Sequence, residues 1–215
     1  MILVSEDGAR TMNTFLGMSQ ELVSQDIDPS VIQSSTYLYL TGYLWDTESQ
    51  KKAVLNALDE AKKYDIKVAL SLSDPFCVNR HKEDFINLLK GYANMVFCNQ
   101  EEAFTLIETE ITQKAIEIMS GWTETVALTL GANGALISHQ GETFYIDPLP
   151  VRVEDTTGAG DAFAAGFLYG MTHDMNALDS GRIGAAMAAG VIGQTGPRYL
   201  GNAKKLIKEK LGIIL

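Results

Sequence analysis

Short apolar runs alternate with amphipathic helical stretches along most of this chain, and that alternation limits the folds open to it more than any other feature. Strand-like runs fall at Ile2–Ser5, Tyr37–Leu40, Lys67–Leu72, Met95–Cys98 and Thr125–Leu130. Helical spacing marks Glu48–Tyr64, His81–Leu89, Glu101–Glu108 and Thr112–Ser120 between them, and Thr157–Tyr169, Asn176–Ile192 and Ala203–Leu211 close the chain. In Glu48–Tyr64, for example, Ala53, Val54, Ala57, Leu58 and Ala61 recur at the period of one helix face. Ala135–Ser138 and Thr143–Ile146 read as a hairpin around Gln140-Gly141-Glu142, and Asp7-Gly8 as a turn. Strands interleaved with helices imply an α/β fold, a mostly parallel sheet covered on both faces. At 215 residues, one such domain over 1–215 is expected. Ligands on such sheets bind beyond the carboxyl ends of the strands, so the loops that follow each strand carry the functional reading.

Charge narrows the partners. The net charge of −10 offers no basic footprint, so no nucleic-acid partner is expected. No apolar run has the length of a membrane span, and the opening MILVSEDGAR has no basic segment followed by an apolar core; cytoplasm is the expected location and no membrane partner is expected. Cys77 and Cys98 are isolated beside apolar neighbours and read as buried free thiols, while His81, His139 and His173 are scattered; no zinc site is read here.

The chemistry concentrates in Asp155-Thr156-Thr157-Gly158-Ala159-Gly160-Asp161, which runs into the helix Ala162–Phe167. Glycines let the backbone turn tightly and approach a ligand without a Cβ in the way. At a helix start the free N–H groups of Gly158, Ala159 and Gly160 converge, and the helix dipole adds positive potential. That makes an anion hole suited to a phosphoryl group in transfer. Asp161, in the first turn, is placed to accept a hydroxyl proton and aim the oxygen. The plain alternative is a glycine-softened helix cap, which a lone Gly-Ala-Gly would satisfy but the full string exceeds. Phe163 and Phe167 would pin this helix to the core, and Gly166 would let a second helix approach it.

That string resembles the C-terminal signature of the ribokinase-like (PfkB) carbohydrate and nucleoside kinases. Asn99-Gln100-Glu101-Glu102 is similar to the family's N-x-x-E after a strand, and Thr129-Leu130-Gly131-Ala132-Asn133-Gly134 to its T-x-G-x-x-G nucleotide loop. Thr41–Trp45 and Leu72–Phe76 resemble strand ends of the adenosine-kinase-like and sugar-kinase branches, and Asp7–Asn13 a segment bearing an arginine, here Arg10, that faces the transferred phosphate. The resemblance implies a three-layer αβα sandwich and an ATP-dependent phosphotransferase acting on a hydroxyl of a sugar or nucleoside. Asp161 would be the general base and Gly158–Gly160 the anion hole, with Asn99, Glu102, Thr129, Gly131, Gly134 and Thr157 around ATP. Mg2+ would be held by Glu102 through water, and Asp155 would lie near a monovalent-cation site, implying K+.

Bland readings stand beside these. Glu102 alone is a solvated helix residue, Arg10 a surface arginine, Asp155 a loop cap, and Gly131 and Gly134 equally hairpin punctuation. Asn133 stands where the family often has lysine. Tyr43 reads first as a core aromatic at a strand end, secondarily as a contact for the acceptor. The Gly193–Arg198 loop borders the nucleotide base in the family, but its spacing here is generic.

The family's opening strand, glycine-glycine motif and small β-lid are not found in this sequence, so it reads as the C-terminal two-thirds of the pattern. A lid excludes water and holds the acceptor, so low turnover of the chain by itself is expected, and a homodimer, often formed through the lid, is harder to read. The alternative is a catalytically incomplete nucleotide-binding or regulatory fragment. A dinucleotide oxidoreductase is set aside, because Gly158-Ala159-Gly160 lies late in the chain and Phe163 stands where a third glycine should be.

Overall fold

The computed structural model describes residues 2–4 and 10–214. In chain order its elements are strands β1 (Ile2–Val4) and β2 (Arg10–Met12), helix α1 (Pro29–Gln33), β3 (Tyr37–Thr41), α2 (Glu48–Lys63), β4 (Lys67–Ser71), α3 (Pro75–Arg80), α4 (Lys82–Gly91), β5 (Met95–Asn99), α5 (Gln100–Ile107), α6 (Thr112–Ser120), β6 (Thr125–Thr129), β7 (Ala135–His139), β8 (Glu142–Ile146), α7 (Ala159–Thr172), α8 (Ala177–Ile192) and α9 (Ala203–Leu211). Six strands form one sheet in the order β3-β4-β5-β6-β7-β8, and β1 pairs β2 in a separate antiparallel pair. The fold is α/β, as the alternation predicts.

β3 pairs β4 in parallel from Tyr37↔Lys67 to Thr41↔Ser71, and β4 pairs β5 in parallel from Ala69↔Met95. Val68, Ala69 and Leu70 are consecutive and buried, as are Met95–Cys98 and Thr125–Leu128. Burial without alternation means both faces of these strands are covered, which is why they are continuous apolar runs. β3, at the edge, is only half-buried at Tyr37, Leu38 and Tyr39.

The chain divides into two compact units, one of residues 15–128 and 138–142, the other of the remaining residues. In the first, Thr47 caps α2 by accepting the Gln50 N–H (3.3 Å), and the predicted face of Ala53, Val54, Ala57, Leu58 and Ala61 is buried. A short 3-10 turn, Gly42–Trp45, follows β3. Trp45 Nε1 donates to Asp84 Oδ2 (2.9 Å), which also pairs with Lys51 Nζ (2.6 Å), so this turn is tied to both α2 and α4.

In the second unit α7 packs on α8. A Cβ on Gly166 would stand 2.8 Å from the Ile183 carbonyl oxygen, so the predicted close helix approach is real. Phe163 and Phe167 are buried and stacked at 6.4 Å between ring centroids. Ile183, Ala186 and Ile207 form a core between α8 and α9.

Three elements depart from the sequence reading. Ser73-Asp74-Pro75 reads as a strand end, yet Asp74 caps α3 through the Cys77 N–H (2.7 Å) with Pro75 in the first turn. α1 is capped in the same way by Asp28, with Pro29 first. β2 gives the opening strand an unforeseen partner. Asp7-Gly8 lies outside the described residues. Cys77 and Cys98 are buried and neither forms a disulfide among the described residues.

Candidate active site

The α7 mouth is built by contacts within the second unit. Asp155 is 3% exposed. Its Oδ1 accepts the Thr157 N–H (2.9 Å) and hydroxyl (2.6 Å), and its Oδ2 accepts the Gly196 N–H (2.9 Å). These bonds hold Thr156 and Thr157 out of the helix, so α7 starts at Ala159 and not at Thr157. Gly158 is the N-cap in the left-handed region (φ 82°). A Cβ there would overlap the main chain of Pro197, standing 2.9 Å from its Cα. Glycine is required at this position twice over, by φ and by space.

Ala162 N–H closes the first turn on the Gly158 carbonyl (2.9 Å), and Ala159 N–H bonds to Thr156 O (3.3 Å). Between them the amides of Gly160 and Asp161 have no intrahelical acceptor. Both residues are exposed, and a Cβ on Gly160 would meet nothing within 4 Å. A helix start with open space beside two amides and a carboxylate is an anion-binding geometry. The generic Gly193–Arg198 loop is what shapes it, through Gly196 and Pro197. Sequence spacing gives no sign of this, because the partners are remote in the chain.

In the nucleotide-loop segment, Thr129 ends β6 and a 3-10 turn spans Gly131–Asn133. Leu130 N–H donates to Gly134 O (2.8 Å). A Cβ on Gly134 would fall on the Ile146 carbonyl and lie 3.1 Å from Pro148 N, so the hairpin explains this glycine. Gly131, also at positive φ (59°), meets nothing within 4 Å and is open to an approaching group.

In the first unit, the ends of β3, β4 and β5 carry a second cluster. Asn99 caps α5 by accepting the Glu102 N–H at Oδ1 (2.8 Å). Glu102 answers with both oxygens, one to the Asn99 N–H (3.0 Å) and one to Asn99 Nδ2 (2.7 Å). The N-x-x-E spacing is thus a complete capping box. Glu102 is 5% exposed, unlike a surface cap. Desolvation raises its pKa to about 7, with Asp74 and Glu101 adding to it and the Asn99 N–H opposing. The solvated-residue reading does not hold for it. Ser73 takes a positive φ (77°) and its Oγ accepts the Gly42 N–H (2.8 Å), pinning the end of β4 to the turn after β3. Tyr43 is 42% exposed, which corrects its reading as a core aromatic. Burial of its hydroxyl and the neighbouring Asp74 raise its pKa. The backbone of Arg10 lies in β2, and its side chain lies outside what the structure describes.

Residues 1–204 match the family profile described as pfkB family carbohydrate kinase. The chain belongs to the pfkB family. Among pfkB-type relatives, it is 28% identical over 202 residues to an uncharacterized sugar kinase of Archaeoglobus fulgidus, covering 92% of this chain and 77% of that one. It superposes with a TM-score of 0.94 on the crystal structure of a probable sugar kinase from Rhizobium etli CFN 42, at 37% identity. The adenosine kinase of Sinorhizobium meliloti gives the same TM-score and identity. In both structures the match covers 97% of this chain but only 64% of the other. The resemblance carried by the Asp155–Asp161 string is therefore a true family relation.

Proposed function

We propose that this chain carries the phosphoryl-transfer centre of an ATP-dependent kinase whose acceptor is a hydroxyl of a sugar or nucleoside. The observation that carries this reading is the α7 mouth, where two open amides and the exposed Asp161 share one turn held in place by Asp155, Gly158 and Pro197. In the proposed reaction Asp161 takes the acceptor's hydroxyl proton and the freed oxygen bonds to the γ-phosphorus as the bond to ADP breaks. The open amides of Gly160 and Asp161, and not those of Gly158 and Ala159 as the spacing suggests, stabilise the charge that spreads onto the phosphoryl oxygens. Gly131 and Thr129 would approach the nucleotide, and Arg10 would offer its guanidinium to the phosphate.

Glu102 suits Mg2+ by donor chemistry. It is an oxygen ligand, and each of its oxygens spends one hydrogen bond on Asn99, leaving lone pairs to order a metal-bound water. When bound, the ion would neutralise phosphate charge. Asp155 does not fit as a direct K+ ligand, since its oxygens already take three donors; we assign it to organising the turn.

A second reading is a nucleotide-binding module without turnover. Measuring ATP binding and phosphoryl transfer separately, over a panel of sugars and nucleosides, discriminates the two. On the kinase reading, Asp161→Asn lowers turnover by about 10²–10⁴-fold with ATP affinity within a few fold of wild type. Equal turnover in Asp161→Asn would overturn the role of Asp161, and ATP binding with no transfer in the wild type would favour the module.

A further inference from the structure

We infer that Asp46, Cys77 and His81 form a binding site for one soft divalent cation of the zinc type. A carboxylate oxygen of Asp46, the Cys77 sulfur and a ring nitrogen of His81 all lie within 4.8 Å of one another. Cys77 lies in α3 and His81 is its C-cap, four residues on, with the His81 N–H on the Cys77 carbonyl (3.1 Å). Asp46 comes from the end of the 3-10 turn after β3, and its Oδ1 is 2.9 Å from His81 Nε2. Tetrahedral zinc with sulfur at about 2.3 Å and nitrogen or oxygen at about 2.0 Å sets its ligand atoms roughly 3.3–3.5 Å apart. Closure of about 1 Å would complete three sides of such a site, with water as the fourth ligand.

Charge and burial suit the same occupant. The sulfur lies at the floor, with Cys77 0% exposed, while the His81 and Asp46 side chains at the mouth are 20% and 23% exposed. Burial pushes the Cys77 thiol up to about 12, and Asp46, Asp74 and Glu102 add to this while Arg80 opposes it. The thiolate therefore forms here only with a cation beside it, which the same negative potential attracts. One thiolate, one carboxylate and one neutral imidazole sum to the charge that a divalent cation cancels. On binding, the thiol proton leaves to solvent, the proton that Nε2 donates to Oδ1 moves by way of solvent to Nδ1 of the neutral ring, and the cation takes the place of that hydrogen bond.

Arg80 is the built-in competitor. Its guanidinium holds Asp46 through Nη2 to Oδ1 (2.8 Å) and Oδ2 (2.9 Å) and through Nε to Oδ1 (3.1 Å). Its side chain is 48% exposed, so it can give up Oδ1 to a cation and keep Oδ2. A cysteine and histidine at this spacing would signal the pair in the sequence only once α3 is known to exist. Asp46 is brought in by the fold alone.

The test is a titration of the reduced, chelator-stripped 215-residue chain with Co2+, followed by Zn2+ competition. One equivalent of Co2+ should give a thiolate-to-cobalt charge-transfer band that Zn2+ bleaches. Cys77→Ala should abolish the band, Cys98→Ala should keep it, and His81→Gln should weaken Co2+ binding at least tenfold. Arg80→Gln should tighten binding several-fold. Absence of the band in the wild type, or its survival in Cys77→Ala, overturns the site. Should Cys77→Ala fail to fold by circular dichroism, unchanged Co2+ affinity in both His81→Gln and Arg80→Gln overturns it equally.

Discussion

Replacing Gly158 and Gly160 by alanine separates what the α7 mouth needs to fold from what it needs to bind. At Gly158 the new methyl meets two penalties. The left-handed backbone (φ 82°) disfavours a Cβ by about 1–2 kcal/mol. Overlap with the Pro197 main chain, which cannot swing away like a side chain, adds roughly 1–3 kcal/mol. At about 2–4 °C per kcal/mol for a chain of this size, the combined cost lowers Tm by roughly 4–20 °C. At Gly160 a methyl meets nothing within 4 Å, and alanine gains up to about 1 kcal/mol of helix propensity. Gly160→Ala should therefore melt at or above the wild-type temperature. Its methyl would stand where a phosphate oxygen approaches the amides, so ATP affinity should fall about tenfold, or 1.4 kcal/mol. Thermal melts by circular dichroism and ATP titration by calorimetry read the two effects. A Gly158→Ala variant that melts with the wild type, or a Gly160→Ala variant that binds ATP as tightly, would refute the geometry.

Two further predictions concern the capping box. Glu102 has a folded pKa near 7 against an ordinary 4.5, so the folded chain keeps a proton across that window that the unfolded chain has released. Its contribution is fully present below pH 4.5 and is lost as pH rises through 7. Urea midpoints at pH 4.5 and pH 8 should show the wild type losing roughly 3 kcal/mol relative to Glu102→Gln, and a constant difference would contradict the buried carboxylate. Asn99→Ala removes the cap and leaves one Glu102 oxygen without its Nδ2 donor, at a cost of about 1–3 kcal/mol in urea unfolding. No loss would mean the box is not holding α5.

Much of this architecture is legible because its signals are local. α6 and α9 match their periodic runs end to end, and the central strands are visible because burial on both faces leaves no polar alternation. α3 is hidden because Asp-Pro, a common turn pair, is equally a helix cap followed by proline at the first position. The start of α7 is misplaced by two residues because an Asp155–Thr157 turn competes with the helix, and only the structure shows that bond. The Asp161 string is readable as chemistry, whereas the Gly196–Pro197 wall behind it and the Asp46–Cys77–His81 triangle depend on residues that only folding brings together. N-x-x-E is ambiguous in sequence for a physical reason, since the spacing that suits a phosphate-side glutamate is also that of a capping box.

Amide resonances of uniformly ¹⁵N-labelled protein, followed while a non-hydrolysable ATP analogue is added, test the α7 mouth most directly. If phosphate is held there, Gly160 and Asp161 should show shifts among the largest in the spectrum, and these should shrink when AMP replaces the analogue. Saturable binding that leaves both amides unmoved would place the phosphates elsewhere and remove the basis for the kinase assignment.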